Sequence, residues 1–315
     1  MTPQSILKQY WGYDSFRPKQ LDIIERVLDG QDTIALLTTG GGKSICFQVP
    51  AILMEGVAIV ISPLIALMKD QVEGLRARGI SADAIYSGRS FRDIDRVLDN
   101  AVYGHLKLLY LSPERLLTDI VIARIKAMTV SMIAIDEAHC ISQWGYDFRP
   151  SYMRIAELRE WHPTRPIIAL TATATTRVIT DISEKLELND FEIIDTSFAR
   201  EGLSIRMKSV DTKQTALVNL LKETRETAIV YVYSRKDAKS YSDHLNLHGI
   251  QADFYHAGLS QKEREQKQTA WMTNKTLIMV CTNAFGMGID KANVRQVVHL
   301  HLPNSIEAYY QEIGR

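Results

Sequence analysis

Two stretches of this chain hold residues whose types and spacing could do chemistry together. "LLTTGGGKS" (36–44) sets three consecutive glycines ahead of a lysine and a serine. Glycines let successive backbone N–H groups turn toward a phosphate, so Thr39, Gly40, Gly41 and Gly42 can form a cradle. Lys43 can then reach the terminal phosphates and Ser44 can ligate Mg²⁺. The strict P-loop spacing asks for Gly at 37, where the chain has Leu37, so the variant TG-x-GK is the one matched. A Gly-rich turn carrying a surface lysine is the alternative, and a strand before with a helix after argues against it. The second stretch, "MIAIDEAHC" (132–140), is an apolar run that ends in two adjacent carboxylates. That is a Walker-B arrangement, in which Asp136 holds magnesium through water and Glu137 acts as base toward the attacking water. Alone the pair reads better as a capped strand end; a P-loop upstream reverses the preference.

Such groups must be delivered by strands. Short β-branched runs, "DTIALL" (32–37), "VAIVIS" (57–62), "LKLLYLS" (106–112), "SMIAID" (131–136) and "PIIALT" (166–171), alternate with stretches of helical period. This alternation predicts a parallel α/β sheet covered by helices. A second series, "TAIVYVYS" (227–234), "QADFYHA" (251–257), "TLIMVCT" (276–282) and "VRQVVHLHL" (294–302), predicts a second α/β lobe. The polar segment 189–213 lies between them, which places the domains at 1–199 and 200–315.

Composition limits what these domains bind. At 315 residues and 46% apolar the chain suits two packed domains, and 37 basic against 37 acidic residues leave no global positive field. Nucleic-acid binding must therefore be local. Cys46, Cys140 and Cys281 stand far apart without a CxxC pair, which predicts inert core thiols, a reducing compartment and no zinc site. With no signal pattern and no long apolar run, a membrane partner is not expected; the reading is cytoplasmic (nucleoid) in a bacterium and nuclear in a eukaryote.

The order of "FRPKQ" (16–20), "TGGGKS" (39–44), "SPLIALMKDQ" (62–71), "LSPERL" (111–116), "DEAH" (136–139), "ALTATAT" (169–175), "YSR" (233–235), "YHAGL" (255–259) and "AFGMGIDK" (284–291) resembles a superfamily 2 helicase core of the RecQ type. Its most specific element is "CISQWGYDFRPSY" (140–152), which is similar to the aromatic-rich loop that separates RecQ DNA helicases from RNA helicases. The resemblance implies two RecA-like lobes, ATP and Mg²⁺ as cofactors, and 3′-to-5′ movement on single-stranded and partly duplex DNA by a monomer. It implies that Tyr13 stacks on adenine while Arg17 and Gln20 read its edge, although core packing of Tyr13 beside Trp11 and Phe16 is an equal alternative on the residues alone. Gly288 and Asp290 become second-lobe nucleotide contacts. Trp144 and Phe148 stack on unpaired bases and Arg149 meets phosphate, or else these aromatics seal the interlobe face. A base on Trp144 would shift Glu137 or Gln143, a route to DNA-stimulated hydrolysis.

Strand-end motifs place Ser62, Arg115, Arg235, His256 and Thr282 where they could grip a DNA backbone, with an N-cap as the other role of "SPER". The chain departs from the family pattern at Thr38, Tyr146 and "FAREGL" (198–203). Its last residues, "YYQEIGR" (309–315), resemble a motif that continues to a second arginine, the finger, so that Arg315 is the first of the pair. The chain as given is therefore expected to bind ATP and hydrolyse it slowly, with zinc-binding, winged-helix and HRDC modules beyond it. An RNA helicase or duplex translocase is a competing reading that leaves "QWGYDFRP" unexplained. A non-catalytic nucleic-acid-binding module is another, favoured by the missing finger.

Overall fold

The structure is a computed structural model that describes residues 1–38, 40–116, 118–145, 147–196, 202–286, 291 and 293–314. The chain divides into two compact units, Met1–Phe198 and Ala199–Arg315. The first is built on strands β1 (Thr33–Leu36), β2 (Val57–Ile61), β3 (Ala82–Ile85), β4 (Leu108–Leu111), β5 (Val130–Ile135), β6 (Ile167–Thr171) and β7 (Glu192–Asp195). They form one sheet in the order β3-β4-β2-β5-β6-β1-β7, and each pairing is parallel.

Helices cover both faces, which is why the inner strands read as unbroken apolar runs and not as alternating ones. In β2, Val57, Ile59 and Ile61 enter one buried cluster while Ala58 and Val60 enter the other. The same division holds in β5, with Ile133 and Ile135 on one side and Met132 and Ala134 on the other. Burying an Ile or Leu contributes about 1.5–3 kcal/mol, so a strand with six buried residues such as β5 is held firmly at the middle of the sheet. At the opposite end from the functional motifs, buried Asp32 accepts from Ile167 N (2.7 Å) and Asn189 N (2.8 Å) and pairs with the Arg159 guanidinium, tying the starts of β1 and β6 together.

The five runs read as strands correspond to β1, β2, β4, β5 and β6, whereas β3 and β7 were not expected. Both are edge strands. β7 lies inside the segment 189–213 that the sequence presented as a connection, and it pairs with β1 with only Ile194 of its four residues buried. β7 buries too little to leave a pattern, and β3 is a four-residue strand whose buried positions are two alanines and Ile85.

The second unit carries β8 (Thr227–Tyr231), β9 (Ala252–Tyr255), β10 (Ile278–Cys281) and β11 (Val294–His299) in the parallel order β11-β8-β10-β9. These are the four runs expected. Helices Lys213–Leu221, Arg235–Leu247 and Gln261–Met272 accompany them, the last opened by a capping box between Ser260 and Glu263. Among the described residues, no helix is long and apolar enough to cross a membrane.

Candidate nucleotide and nucleic-acid site

In a parallel sheet, ligands are met at the carboxyl ends of the strands, and there the first unit concentrates its polar groups. Past β1 the chain turns through the glycines, with Gly40 and Gly42 at φ 75° and 76°. A side chain is strained in that left-handed region, and a Cβ on Gly42 would also collide with the Gln20 amide. Gly41 N donates to Thr38 O (2.8 Å) and Lys43 Nζ lies 3.5 Å from Leu37 O. Ser44 is the N-cap residue of helix Ile45–Leu53, so the helix N-terminus faces the turn, as anion binding requires. Thr39 lies outside the described residues.

The expected adenine group has a second occupation. Gln20 is 3% exposed, donates from Nε2 to Gly41 O (3.2 Å) and Gly42 O (3.0 Å), and accepts from Arg17 N (2.9 Å). The Arg17 guanidinium donates to Gly40 O. Both residues thus brace the phosphate turn. Tyr13 is 57% exposed, which removes core packing as its role and leaves a free ring face.

β5 delivers the carboxylates. Asp136 N still bonds Ile61 O on β2 (2.9 Å), and its carbonyl accepts from the Tyr152 hydroxyl (2.9 Å). Its carboxylate takes Ser62 Oγ (3.3 Å) and Glu137 N (3.0 Å). Burial, and next the charge of Glu137, push the Asp136 carboxyl up to about 7, against the pull of Lys43. Glu137 then adopts φ 49°, ψ 47°, a left-handed backbone that costs a non-glycine residue about 1–3 kcal/mol. It is buried, and its Oε2 has no hydrogen-bond partner. The imidazole of His139 lies beside that oxygen, Nδ1 to Oε2 3.4 Å. His139 follows, its Nδ1 2.9 Å from Thr171 Oγ1 at the end of β6, with its pKa lowered by burial.

These oxygens suit Mg²⁺, which takes one or two protein oxygens beside phosphate and water and needs no full protein cage. Ser44 and Asp136 are the residues that could supply such a pair.

Ser62 requires a correction. Expected at a DNA backbone, it is 2% exposed with its hydroxyl turned to Asp136, because β2 ends beside β5 and the hydroxyl meets the buried carboxylate first. The N-cap reading of "SPER" is met by the backbone only. Ser112 gives its backbone carbonyl to helix Pro113–Leu116, while its hydroxyl is buried without a partner.

The loop after the DEAH residues presents Trp144, 58% exposed, on a fixed base. Trp144 N donates to Ser142 Oγ (3.1 Å). Gln143 is exposed, Phe148 is half-buried, and the Arg149 guanidinium binds Asp147 Oδ2 (2.9 Å) and Pro63 O (3.1 Å). Arg149 therefore meets phosphate only by sharing or leaving these partners. Arg115 is half-buried on the same unit.

In the second unit, Arg235 and His256 line one open cleft together with Lys236, Lys239, His244 and Asp243, the last paired with Lys239 (2.6 Å). Ser234 of "YSR" is occupied as the N-cap of helix Arg235–Leu247, accepting from Asp237 N (3.0 Å). Thr282 is half-buried past β10, outside the residues lining that cleft. Gly288, Asp290 and Arg315 lie outside the described residues, as does Tyr146. The thiols match their expected inertness: burial pushes Cys46 up to about 12 and raises Cys140 and Cys281 as well.

Sequence reading missed the support behind Ser44. Gln71 Nε2 donates to Ser44 Oγ (3.1 Å), Tyr110 OH donates to Gln71 Oε1 (2.8 Å), and Gln48 Nε2 donates to Tyr110 OH (3.2 Å). The signal was a polar residue on the buried face of helix Ile65–Ala77, in register with Met68 and Leu75.

Residues 17–182 match the DEAD/DEAH box helicase family and residues 212–315 the helicase conserved C-terminal domain. The chain is 44% identical over 315 residues to an ATP-dependent DNA helicase RecQ of Bacillus subtilis, covering 99% of this chain and 53% of that protein, so it spans about half the length of that relative. To the RecQ of Synechocystis it is 40% identical, over 99% of this chain and 67% of that protein. Among solved structures it is similar to Mycobacterium smegmatis helicase Lhr bound to ssDNA and AMP-PNP, with a TM-score of 0.77 at 18% identity, over 100% of this chain and 46% of that one. Two parallel-sheet units of RecA-like fold, the helicase motifs and identity along the whole chain agree: this chain belongs to the RecQ family of superfamily 2 helicases.

Proposed function

We propose that the chain is the motor core of an ATP-dependent DNA helicase, coupling ATP hydrolysis to 3′-to-5′ movement on single-stranded DNA and to unwinding. The observation that supports this best is the junction after β5. There, a buried carboxylate pair, with Glu137 in a left-handed backbone and its Oε2 without a hydrogen bond, runs directly into a loop that exposes Trp144.

Lys43 offsets charge on the terminal phosphates, and the turn at Thr39–Gly42 cradles them. Ser44 and Asp136 would hold Mg²⁺, which when bound neutralises charge on the phosphate oxygens. Glu137 accepts a proton from the attacking water through Oε2, with Gln143 as a second polar group of the same segment. Tyr13 offers its face to adenine. Reading the adenine edge through Arg17 and Gln20 exchanges part of their hold on the phosphate turn, so base recognition and loop geometry are linked. Gly288 and Asp290 are proposed nucleotide contacts of the second unit.

Trp144 and Phe148 stack bases without reading sequence, and Arg115, Arg149, Arg235, His256 and Thr282 meet the backbone. The partners are single-stranded and partly duplex DNA and the working form is a monomer, at the nucleoid of a bacterium or in a nucleus.

ATP turnover measured alone, with a (dT)20 oligonucleotide and with an rU20 oligonucleotide tests the reading. Stimulation by DNA well above RNA is expected, with unwinding of 3′-tailed duplexes over 5′-tailed ones. Equal stimulation by RNA would replace the DNA reading by an RNA helicase, and turnover indifferent to both would end the coupling proposal.

A further inference from the structure

The helix that follows β6, Thr176–Lys185, grips the Trp144 loop at two places, and the motifs assign it no part. Inside, Ser142 is fully buried and donates from Oγ to Asp181 Oδ2 (2.5 Å), while the same Oγ accepts from Trp144 N (3.1 Å). Lys185 Nζ steadies this contact, reaching Asp181 Oδ2 (3.4 Å) and Ile141 O (3.2 Å). Outside, the Arg177 guanidinium lies 3.4 Å from the centroid of the Trp144 indole, a cation–π stack that covers one ring face.

The helix is equally tied to the carboxylate side. Thr175 Oγ1 caps it by accepting from Val178 N (3.4 Å). A short connection before that cap is Thr171, whose hydroxyl meets His139 Nδ1 and whose carbonyl accepts from Leu37 N (3.1 Å) at the entrance to the phosphate turn. His139 Nδ1 in turn lies 3.4 Å from Glu137 Oε2. The contacts close a circuit from Trp144 through Ser142, Asp181, the helix and Thr171 to His139 and Glu137.

We infer that Asp181 is a positioning residue that couples occupancy of Trp144 by a base to the placement of Glu137, with Arg177 backing the indole so that its other face meets the DNA. Physically, the buried Ser142 hydroxyl can bond both neighbours only while the loop and the helix move as one body. A base pulling on Trp144 therefore loads the end of β6. Without Asp181 the loop can yield on its own, and the pull stops there. The inference rests on the proposed stacking of bases on Trp144.

The test uses the 315-residue chain. ATP turnover with saturating (dT)20 and without it is measured for the parent, Asp181→Ala, Asp181→Asn, Ser142→Ala and the double variant Ser142→Ala/Asp181→Ala, beside (dT)20 affinity and thermal midpoint. Asp181→Ala is expected to lower the stimulation ratio about five-fold or more, a typical coupling between sites, with basal turnover and melting close to the parent. Asp181→Asn should recover much of the ratio, because its amide oxygen still accepts from Ser142. The double variant should resemble either single one, since all cut the same link. An unchanged ratio in a folded Asp181→Ala, or losses that add in the double variant, overturns the inference and leaves the helicase reading standing. A ratio of one in the parent overturns both.

Discussion

The two units end their strands differently. In the first, polar groups at the carboxyl end of the sheet are buried and committed: Asp136, Glu137, Ser62, His139 and Thr171 are all under one-tenth exposed and lie within one network. In the second, the corresponding edge offers Arg235, Lys236 and Lys239 on an open cleft, each exposed to solvent. Buried groups act in a low effective dielectric, where preorganised charge is strong; exposed cations act through a screened field that tolerates any backbone phosphate. On the proposed function, hydrolysis draws on the buried groups of the first unit, and the second unit adds a screened grip on the DNA backbone.

The largest effects should come from the buried end. Glu137→Gln keeps shape and loses basicity, so turnover should fall about 10²–10⁴-fold while ATP binding persists. Lys43→Ala should lower turnover about as far, because a charge set beside the phosphates is removed from an otherwise intact turn. Single-turnover hydrolysis and nucleotide titration check both. Loss of ATP binding in Glu137→Gln would mean that this carboxylate supports the fold, and the contrast between the units would collapse.

Burial has a cost, and Asp136 shows its sign. Its carboxyl is raised to about 7 in the folded chain, from an ordinary 3.8, by burial and by Glu137. Between those two values the folded state holds a proton that the unfolded state has released. Stability contributed by this group is therefore lost as pH rises from about 4 to about 7. In Mg²⁺-free buffer with a chelator, Asp136→Asn should stabilise the chain by on the order of 1–3 kcal/mol at pH 7.5, with the gain vanishing near pH 4. Denaturant melts at the two pH values measure it. A destabilised Asn variant at pH 7.5 would show that Ser62 and Glu137 N already repay the buried charge.

Trp144→Ala sits between the two regimes, exposed but joined to the buried network. Stacking is worth about 1–3 kcal/mol per base, so DNA-stimulated turnover should fall several-fold further than basal turnover. Equal losses in both rates would make the indole a packing element, despite its exposure.

Much of this was legible in the residues. An apolar run ending in Asp136 and Glu137, and glycines ending in Lys43 and Ser44, announce themselves because strand and turn chemistry are local. The helix–loop link was not legible, since Ser142 and Asp181 meet across 39 positions and neither breaks a local pattern. Nor was the left-handed backbone of Glu137, which no residue type signals when the residue is not glycine or asparagine. Ser62 misled for the same reason: a strand-end hydroxyl looks identical whether it faces solvent or a carboxylate. β7 escaped because only Ile194 repays its pairing with β1.

The smallest effect should belong to the second unit, and it is the sharpest check on the contrast. Arg235 is exposed at the start of helix Arg235–Leu247 and shares its cleft with Lys236 and Lys239, so other cations remain when it is removed. Arg235→Ala should leave basal turnover and thermal midpoint near the parent and weaken (dT)20 binding modestly. Each phosphate contact on a single strand contributes about 0.7 to the slope of log affinity against log salt, so the slope should flatten by roughly that amount. Because the field is screened, the loss should be clear at low salt and nearly gone at high salt. A loss of affinity that persists at high salt would place Arg235 in a desolvated, specific contact, and the second unit would then share the buried chemistry of the first.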